Sequence, residues 1–553
     1  MRFQYDVQIQ QGLQAYEEST ENAVSLQKKL LKSILEKNCQ TEIGRELGFS
    51  AVKDGTDYRD KVPLTDYGFY MDRIRRTIQG EENLLTQDPP VYHCLSSGST
   101  DAPKYLPLTE EDLRLSFLYS YWAVFGIIAR SHPGPFRQVL TPILQAGEFI
   151  NTKTERGILS GVRSSASYQW NYDRGQFDCS AYCLPEEVLF PEKLEDLTYV
   201  RVRFALAEPD LRSVFGVFIH RLIGMLDYIL IHWDMLLQDM ASGQVSPEAN
   251  ISPQWQKYLM THLPPNPERA RELGLLDSSR LSENLVEKLW PKMQVLICAG
   301  GSIFAPYMQK LRLYAPNIQY YPYAYAATEG LFGIPPDVDR LDEYVLLPEM
   351  SYYEFLPENQ DGGKTLTVEE VSLGSRYELV ITNHSGLYRY CMQDVIQVVG
   401  FQGESPIIKF CYRKNQVLNV ADERTNLAQL EEAVQDYCRV TGKSNVCNYC
   451  LFGDFSQYPP HYCICMEAEK AAPAAPDPIM DQCLSRANYG YGGCRKMGEI
   501  GEAWVMHVPR ECFTECENQI SREANGLGQV KPMRILTRKK NQDIFKIYAG
   551  ENK

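Results

Sequence analysis

The chain has 553 residues, a formal net charge of −15 and a composition that is 44% hydrophobic. Its length exceeds that of one ordinary domain, so a large domain with a smaller companion is expected. An acidic surface repels phosphate backbones and anionic lipid, which argues against nucleic-acid and membrane partners.

The opening Met1-Arg2-Phe3-Gln4-Tyr5-Asp6 lacks the apolar core of a secretory leader, so a cytoplasmic protein is expected. From residue 23 to 47 the apolar side chains Val24, Leu26, Leu30, Leu31, Ile34 and Leu35 recur at helical spacing. A short apolar and aromatic stretch, 91–95, leads into a hydroxyl-rich loop, and a helix is expected from Thr109. Further on, 214–230 carries Phe215, Phe218, Ile219, Leu222, Leu226, Ile229 and Leu230 on one stripe, which predicts a single helix against a core. This stretch is the nearest to a bilayer-spanning run of about 18 apolar residues, but His220, Arg221 and Asp227 break it.

Short β-branched or aliphatic runs at 295–298, 378–382, 395–399 and 417–420 predict strands between helical stretches, hence a mixed α/β or α+β fold. A domain boundary is expected near 420, and the proline-rich 470–478 reads as a surface loop. No fixed-period repeat is present. The 16 cysteines are dispersed, which favours reduced thiols that pack as small apolar residues. Cys447, Cys450, Cys463 and Cys465 suggest a metal clip at first sight. One intervening residue in the second pair suits strand alternation better.

Three motifs can carry chemistry. In Ser96-Ser97-Gly98-Ser99-Thr100-Asp101-Ala102-Pro103-Lys104, backbone NH groups and hydroxyls can donate to phosphate oxygens while the lysine offsets charge. It is not a Walker sequence, and as an isolated feature it could be a solvated serine-rich turn. In Tyr325-Ala326-Ala327-Thr328-Glu329-Gly330 the carboxylate needs a counter-charge, which a magnesium ion or an arginine could provide. In the run from Gly386 to Val395, Asp394 heads an apolar strand and could accept from both ribose hydroxyls, or pair with Arg389 or Arg413.

In this order the motifs resemble the adenylate-forming superfamily and, more closely, the Gretchen Hagen 3 (auxin-responsive) acyl acid amido synthetase family. Ser96 to Thr100 with Lys104 match its phosphate loop, and Tyr325 to Glu329 match Tyr-Ala/Gly-x-Ser/Thr-Glu. Tyr390 to Asp394 keep the two ends of Tyr-Arg-x-Gly-Asp. The likeness also takes in Lys61 to Tyr67, Trp290-Pro291, Gly300-Gly301, Tyr352 to Pro357 and Arg413 to Leu418, and so nearly the whole chain.

The resemblance implies a large N-terminal adenylating domain, 1–420, with β-sheets flanked by helices, and a small mobile α+β domain, 421–553. It implies an enzyme that adenylates a small carboxylic acid with ATP and Mg2+ and passes the acyl group to an amine, such as an amino acid. Ser96, Ser97, Gly98, Ser99 and Thr100 would hold phosphates, and Tyr325, Ala326, Ala327 and Thr328 would line the adenine and α-phosphate. Asp394 and Arg413 would grip the ribose, Glu329 would hold magnesium, and Lys104 and Lys531 would act in catalysis.

In the family's arrangement Tyr119, Trp122, Val162, Phe218 and Leu222 would flank the acyl pocket. Four positions depart from the pattern. Asp101 adds negative charge and Ala102 replaces a glycine in the first motif. In the third, Cys391 replaces an arginine, for which Arg389 could partly compensate, and Gln393 replaces a glycine. A thioester-forming (CoA) ligase and a nucleotide-binding protein without turnover are the alternatives; the pattern is silent on oligomeric state.

Overall fold

The computed structural model describes residues 5–95, 104–147, 149–154, 156–193, 196–300, 305–358, 363–414, 417–421, 423, 425–443, 446–523, 532–536 and 538–550. The fold is a mixed α/β architecture with several sheets. The first helix, Tyr5–Glu21, is followed by Ala23–Asn38, so the chain opens with helices as its periodicity predicts.

One four-stranded sheet joins Tyr105–Leu108, Tyr92–Leu95, Leu159–Gly161 and Asn151–Lys153. A second is wholly parallel, in the order Ile143–Gln145, Ser213–Phe218, Val295–Ala299, Gln319–Tyr321. Such strands are covered on both faces and read as unbroken apolar runs, which is why 213–218 looks helical by its apolar content alone. The single helix expected over 214–230 is corrected accordingly. Ser213–Phe218 is a strand, and the helix spans Ile219–Ile231 with Leu222, Ile223, Leu226 and Ile229 buried. β-branched and aromatic residues favour the extended form. Gly216 allows close approach, since a Cβ there would lie 3.1 Å from that of Ala146.

The third sheet is antiparallel and seven-stranded. Its order is Ser351–Pro357, Arg376–Asn383, Tyr390–Gln402, Ser405–Arg413, Glu343–Leu346, Gly330–Ile334, Tyr325–Ala327. The strands expected at 295–298, 378–382, 395–399 and 417–420 are all present, the last as the short Val417–Leu418.

The C-terminal sheet runs Tyr449–Asp454, His461–Glu467, Trp504–Val508, Ala472–Pro476. Tyr462, Ile464 and Met466 face a core that includes Leu430 and Leu484; Cys463 and Cys465 face another that includes Cys512, Cys516 and Phe545. Cys450 lies opposite Cys465 in register. The alternation expected of the Cys-x-Cys pair is therefore that of a strand, and these thiols fill an apolar face. The loop expected over 470–478 is corrected: Ala472–Pro476 pairs with Trp504–Val508 as an edge strand, where prolines cost no ladder bond, and Pro478 opens the next helix under an Asp477 cap. The two apolar clusters with buried members between residues 5 and 408 are distinct from the two between 430 and 549. Among the described residues no helix is long and apolar enough to cross a membrane.

Candidate functional site

The site is built around the hairpin formed by Tyr390–Gln402 and Ser405–Arg413, where Asp394 and Arg413 are direct cross-strand partners. Arg413 donates from Nε to Asp394 Oδ1 at 2.5 Å and from an Nη to Oδ2 at 3.0 Å; the Tyr325 hydroxyl donates to Oδ2 at 2.9 Å. Asp394 is 1% exposed, so these bonds offset the cost of burying its charge. Burial first, and then the neighbouring Asp394 charge, push the Tyr325 phenol well above its ordinary range and keep it a donor. Of the partners considered from sequence, Asp394 has taken Arg413. A carboxylate has about four acceptor sites, so room for one further donor remains.

Glu329 lies in the two-residue turn between Tyr325–Ala327 and Gly330–Ile334. Its Oε1 accepts from the Tyr390 hydroxyl at 3.3 Å and its carbonyl accepts from Asn383 at 2.9 Å. Burial, and next the Glu329 charge, raise the Tyr390 phenol. Glu329 is half-buried and offers hard oxygen donors, which fits a magnesium ion that keeps waters and substrate phosphates as its other ligands.

Lys104 reaches the same neighbourhood through an aromatic platform, with its Nζ 5.0 Å from the Tyr67 ring centroid. Asp66 places that ring by capping the helix Tyr67–Ile78 through a bond from Phe69 N at 3.2 Å. Thr65 stitches this segment to the third motif: its NH donates to Arg389 O at 2.9 Å, and its carbonyl accepts from Cys391 N at 2.9 Å. The structure thus gathers Lys104, Tyr325, Glu329, Asp394 and Arg413. Ala326 is exposed and Ala327 and Thr328 half-buried along an edge of the sheet. Ser96, Ser97, Gly98, Ser99, Thr100, Asp101, Ala102 and Lys531 lie outside the described residues.

Compensation by Arg389 for the residue replaced by Cys391 is corrected. The Arg389 guanidinium is spent in the interior: it donates to Glu354 at 3.1 and 3.2 Å, to Arg59 O at 2.7 Å, to Val62 O at 2.5 Å and to Thr365 Oγ1 at 2.9 Å. It is 5% exposed and clamps the N-terminal segment to the sheet. Burial, and then the Glu378 charge, push the Cys391 thiol up to about 12, so it is no thiolate. Gln393, which stands where the family's motif has a glycine, takes a left-handed backbone with φ of 60°. That conformation costs a non-glycine residue roughly 1–2 kcal/mol; the NH is held by Glu378 at 3.1 Å and the carbonyl by Lys414 N at 2.7 Å.

Three of the residues expected to flank the acyl pocket are packed inside the fold. Tyr119 and Trp122 belong to the π-helical Leu118–Ala123. Trp122 packs against the first helix, with its ring 5.9 Å from Tyr5 and its Cβ 2.5 Å from where a Gly12 Cβ would stand. Tyr119 is fully buried and bonds Glu349. Leu222 is a core residue at 2% exposure. Only Val162, beside the helix Arg163–Asp173, and Phe218, at the end of its strand, remain half-buried.

Several site neighbours carried no sequence signal. Tyr67 and the Tyr390 hydroxyl lay inside matched segments without a role. Arg163, paired with Asp112 and donating to Thr328 O at 3.4 Å, belongs to no motif. His93 is fully buried on the strand that leads to the phosphate-loop sequence, and neither ring nitrogen has a partner among the described residues. Burial lowers its pKa to about 4, so it folds neutral. Its folded value lies below its unfolded value of about 6.5; its contribution is therefore present above pH 6.5 and is lost as pH falls toward 4. Denaturation midpoints are expected to show a loss of about 2–3 kcal/mol between pH 7 and pH 4.5 that His93→Phe removes. An equal acid loss in the variant would exclude His93 as its source.

Comparison with known proteins gives matches along almost the entire chain. Residues 12–320 match the GH3 family N-terminal domain, 344–413 the GH3 family central domain and 428–540 the GH3 family C-terminal domain. An indole-3-acetic acid-amido synthetase of Arabidopsis thaliana, GH3.2, is 27% identical over 542 residues, covering 91% of this chain and 95% of its own. A jasmonoyl-L-amino acid synthetase of Nicotiana attenuata, JAR4, is 28% identical over 528 residues, covering 91% and 89%. The solved structure of the AtGH3.15 acyl acid amido synthetase in complex with 2,4-DB superposes with a TM-score of 0.84 at 23% identity, over 99% of this chain and 97% of that one, and so shares its fold. From Tyr5–Glu21 to the C-terminal sheet, the chain belongs to the GH3 family.

Proposed function

We propose that this protein is an acyl acid amido synthetase. A substrate carboxylate oxygen attacks the α-phosphorus of ATP, forming the acyl–phosphate bond and releasing pyrophosphate. The nitrogen of an amine, an amino acid in the reading favoured by the relatives' names, then attacks the acyl carbon, loses a proton and expels AMP. The observation that carries this reading is the convergence of Lys104, Glu329, Asp394 and Arg413, from four separate stretches of sequence, in a chain that covers 95% of the length of an amido-synthetase relative.

In this reading Asp394, oriented by Tyr325 and Arg413, positions the ribose, Lys104 lies beside the phosphates, and Glu329 holds magnesium, which when bound neutralises phosphate charge. The work of the protein is positioning and electrostatics. Residues 421–553 act as a mobile domain that brings Lys531 to the site. Supporting this are its separate apolar cores; polar ties to the larger part include Tyr307 to Asn448 at 2.7 Å and Arg510 to Asp227 at 3.0 Å. A cytoplasmic location is part of the same reading.

The test is ATP/pyrophosphate exchange across a library of carboxylic acids, followed by product analysis with amino acids or coenzyme A. Acid-dependent exchange and an amide product are expected. Exchange that yields only a thioester would move the protein to the ligase alternative, and ATP binding without exchange for any acid would leave a nucleotide-binding protein.

A further inference from the structure

At the edge of the seven-stranded sheet opposite Tyr325, a cavity of about 710 Å3 opens between the helix Ala23–Asn38, the short helix Gly55–Lys61 and the edge strand Ser351–Pro357. None of Lys104, Glu329, Asp394 or Arg413 lines it. Its size falls within the range of small-molecule sites. Leu31, Leu35, Phe49 and Val368 supply an apolar floor. Lys28, Lys32 and Lys53 stand around it; Lys28 is answered by Glu369 at 3.1 Å and Lys32 by Glu36 at 3.7 Å, while Lys53 has no ion pair among the described residues. The remaining acid, Asp54, is occupied as a helix cap, accepting from Asp57 N at 2.9 Å.

Two polar groups at the wall have donor capacity left over. Tyr352 is 3% exposed as a whole residue; its hydroxyl has no hydrogen-bond partner among the described residues and is not shut off from solvent. The Arg59 side chain is 7% exposed; one Nη donates to Thr365 O at 3.0 Å and to Glu370 at 2.7 Å, but Nε has no partner. Gly55, one helical turn before Arg59, leaves the approach open. A Cβ there would stand 3.2 Å from the Tyr352 hydroxyl and 3.7 Å from Leu31. Buried donors without acceptors are costly and uncommon. Arg59 Nε is closed off behind the wall, whereas the Tyr352 hydroxyl can donate into the cavity, so the wall suits an acceptor there and the floor below it suits a hydrocarbon body.

We infer that this cavity is a second ligand site, separate from the adenylating centre, for an amphipathic carboxylate. Its carboxylate accepts from the Tyr352 hydroxyl beside Arg59, in the field of Lys53, and its apolar body lies on Leu31, Leu35, Phe49 and Val368.

Calorimetric titration of the full chain with octanoate, with octan-1-ol and octylamine as neutral and cationic probes of equal chain length, tests this. Octanoate is expected to bind saturably and about tenfold more tightly than either control, the value of one hydrogen bond to a charged group. Tyr352→Phe should weaken that event about tenfold and Gly55→Leu, which fills the cavity, should abolish it. Binding at the adenylating centre would be the same in parent and both variants, so an unchanged octanoate isotherm would overturn the site, as would the absence of any saturable event. Equal binding of octylamine would overturn the carboxylate assignment. Should Gly55→Leu fail to fold, Tyr352→Phe decides alone, because it keeps the ring that packs 6.3 Å from Tyr58.

Discussion

Asp394→Ala is expected to reduce ATP/pyrophosphate exchange by at least about a hundredfold, a change of roughly 3 kcal/mol. Two effects add. On the proposed reading the ribose acceptor is lost, and the donors aimed at Asp394, Arg413 and the Tyr325 hydroxyl, lose their common partner in a buried setting. Breaking a buried ion pair costs about 3–5 kcal/mol of stability in an enclosed site. Arg413 is 29% exposed here, so solvent recovers part of this, and a loss nearer 2 kcal/mol is expected. A double-mutant cycle with Arg413→Ala, read by exchange and by thermal unfolding, separates the two effects. If the exchange rates of Asp394→Ala and the parent agree within about threefold, Asp394 is not a nucleotide ligand.

Glu329→Gln should leave stability within about 0.5 kcal/mol, since the residue is half-buried and the amide can keep the contact from Tyr390. Exchange, in contrast, should fall by about two orders of magnitude at ordinary magnesium concentration, because a carboxylate that holds a phosphate-bound cation cannot be replaced by a neutral amide. The magnesium dependence carries the diagnosis: the variant's half-saturating concentration should move up, with partial recovery of rate at high magnesium. An unchanged half-saturating concentration would assign Glu329 to holding the Tyr325–Ile334 hairpin turn through Asn383 and Tyr390, and not to the metal.

The left-handed Gln393 bears on why a divergent third motif can still present Asp394. Glycine is the ordinary solution at φ of 60°, yet the flanking bonds from Gln393 N to Glu378 and from Lys414 N to Gln393 O hold the turn without it. Asp394 is thus held beside Arg413 although the middle of the motif departs from the family pattern. Arg389 does not stand in for the lost arginine, because it serves the packing of residues 59–65 against the sheet.

The residues that the structure brings together at the candidate site were legible because they lie in short, ordered runs of particular residue types. Lys104, Tyr325, Glu329, Asp394 and Arg413 could be named from such runs, and the strands at 295–298, 378–382 and 395–399 from their β-branched content. Other features were hidden for identifiable reasons. The strand Ser213–Phe218 is apolar on both faces and shares its composition with the helix that follows. The burial of Tyr119 and Trp122 depends on contacts with Glu349 and with the first helix. The clamp at Arg389 depends on carbonyls at 59 and 62, and the cavity below Tyr352 on helices drawn from the chain's first sixty residues.

The amino-acid sequence by itself determined the mixed α/β class, the ordered motifs and the chemistry they permit, because local periodicity and functional-group chemistry are properties of short segments. Only the tertiary structure decided that Arg413 and Tyr325 share Asp394, that Tyr67 carries Lys104, that Trp122 serves the core, and that Tyr352 and Arg59 face a cavity of their own. Each of these is a contact between residues far apart in the chain, whose pairing is set by how whole sheets and helices pack.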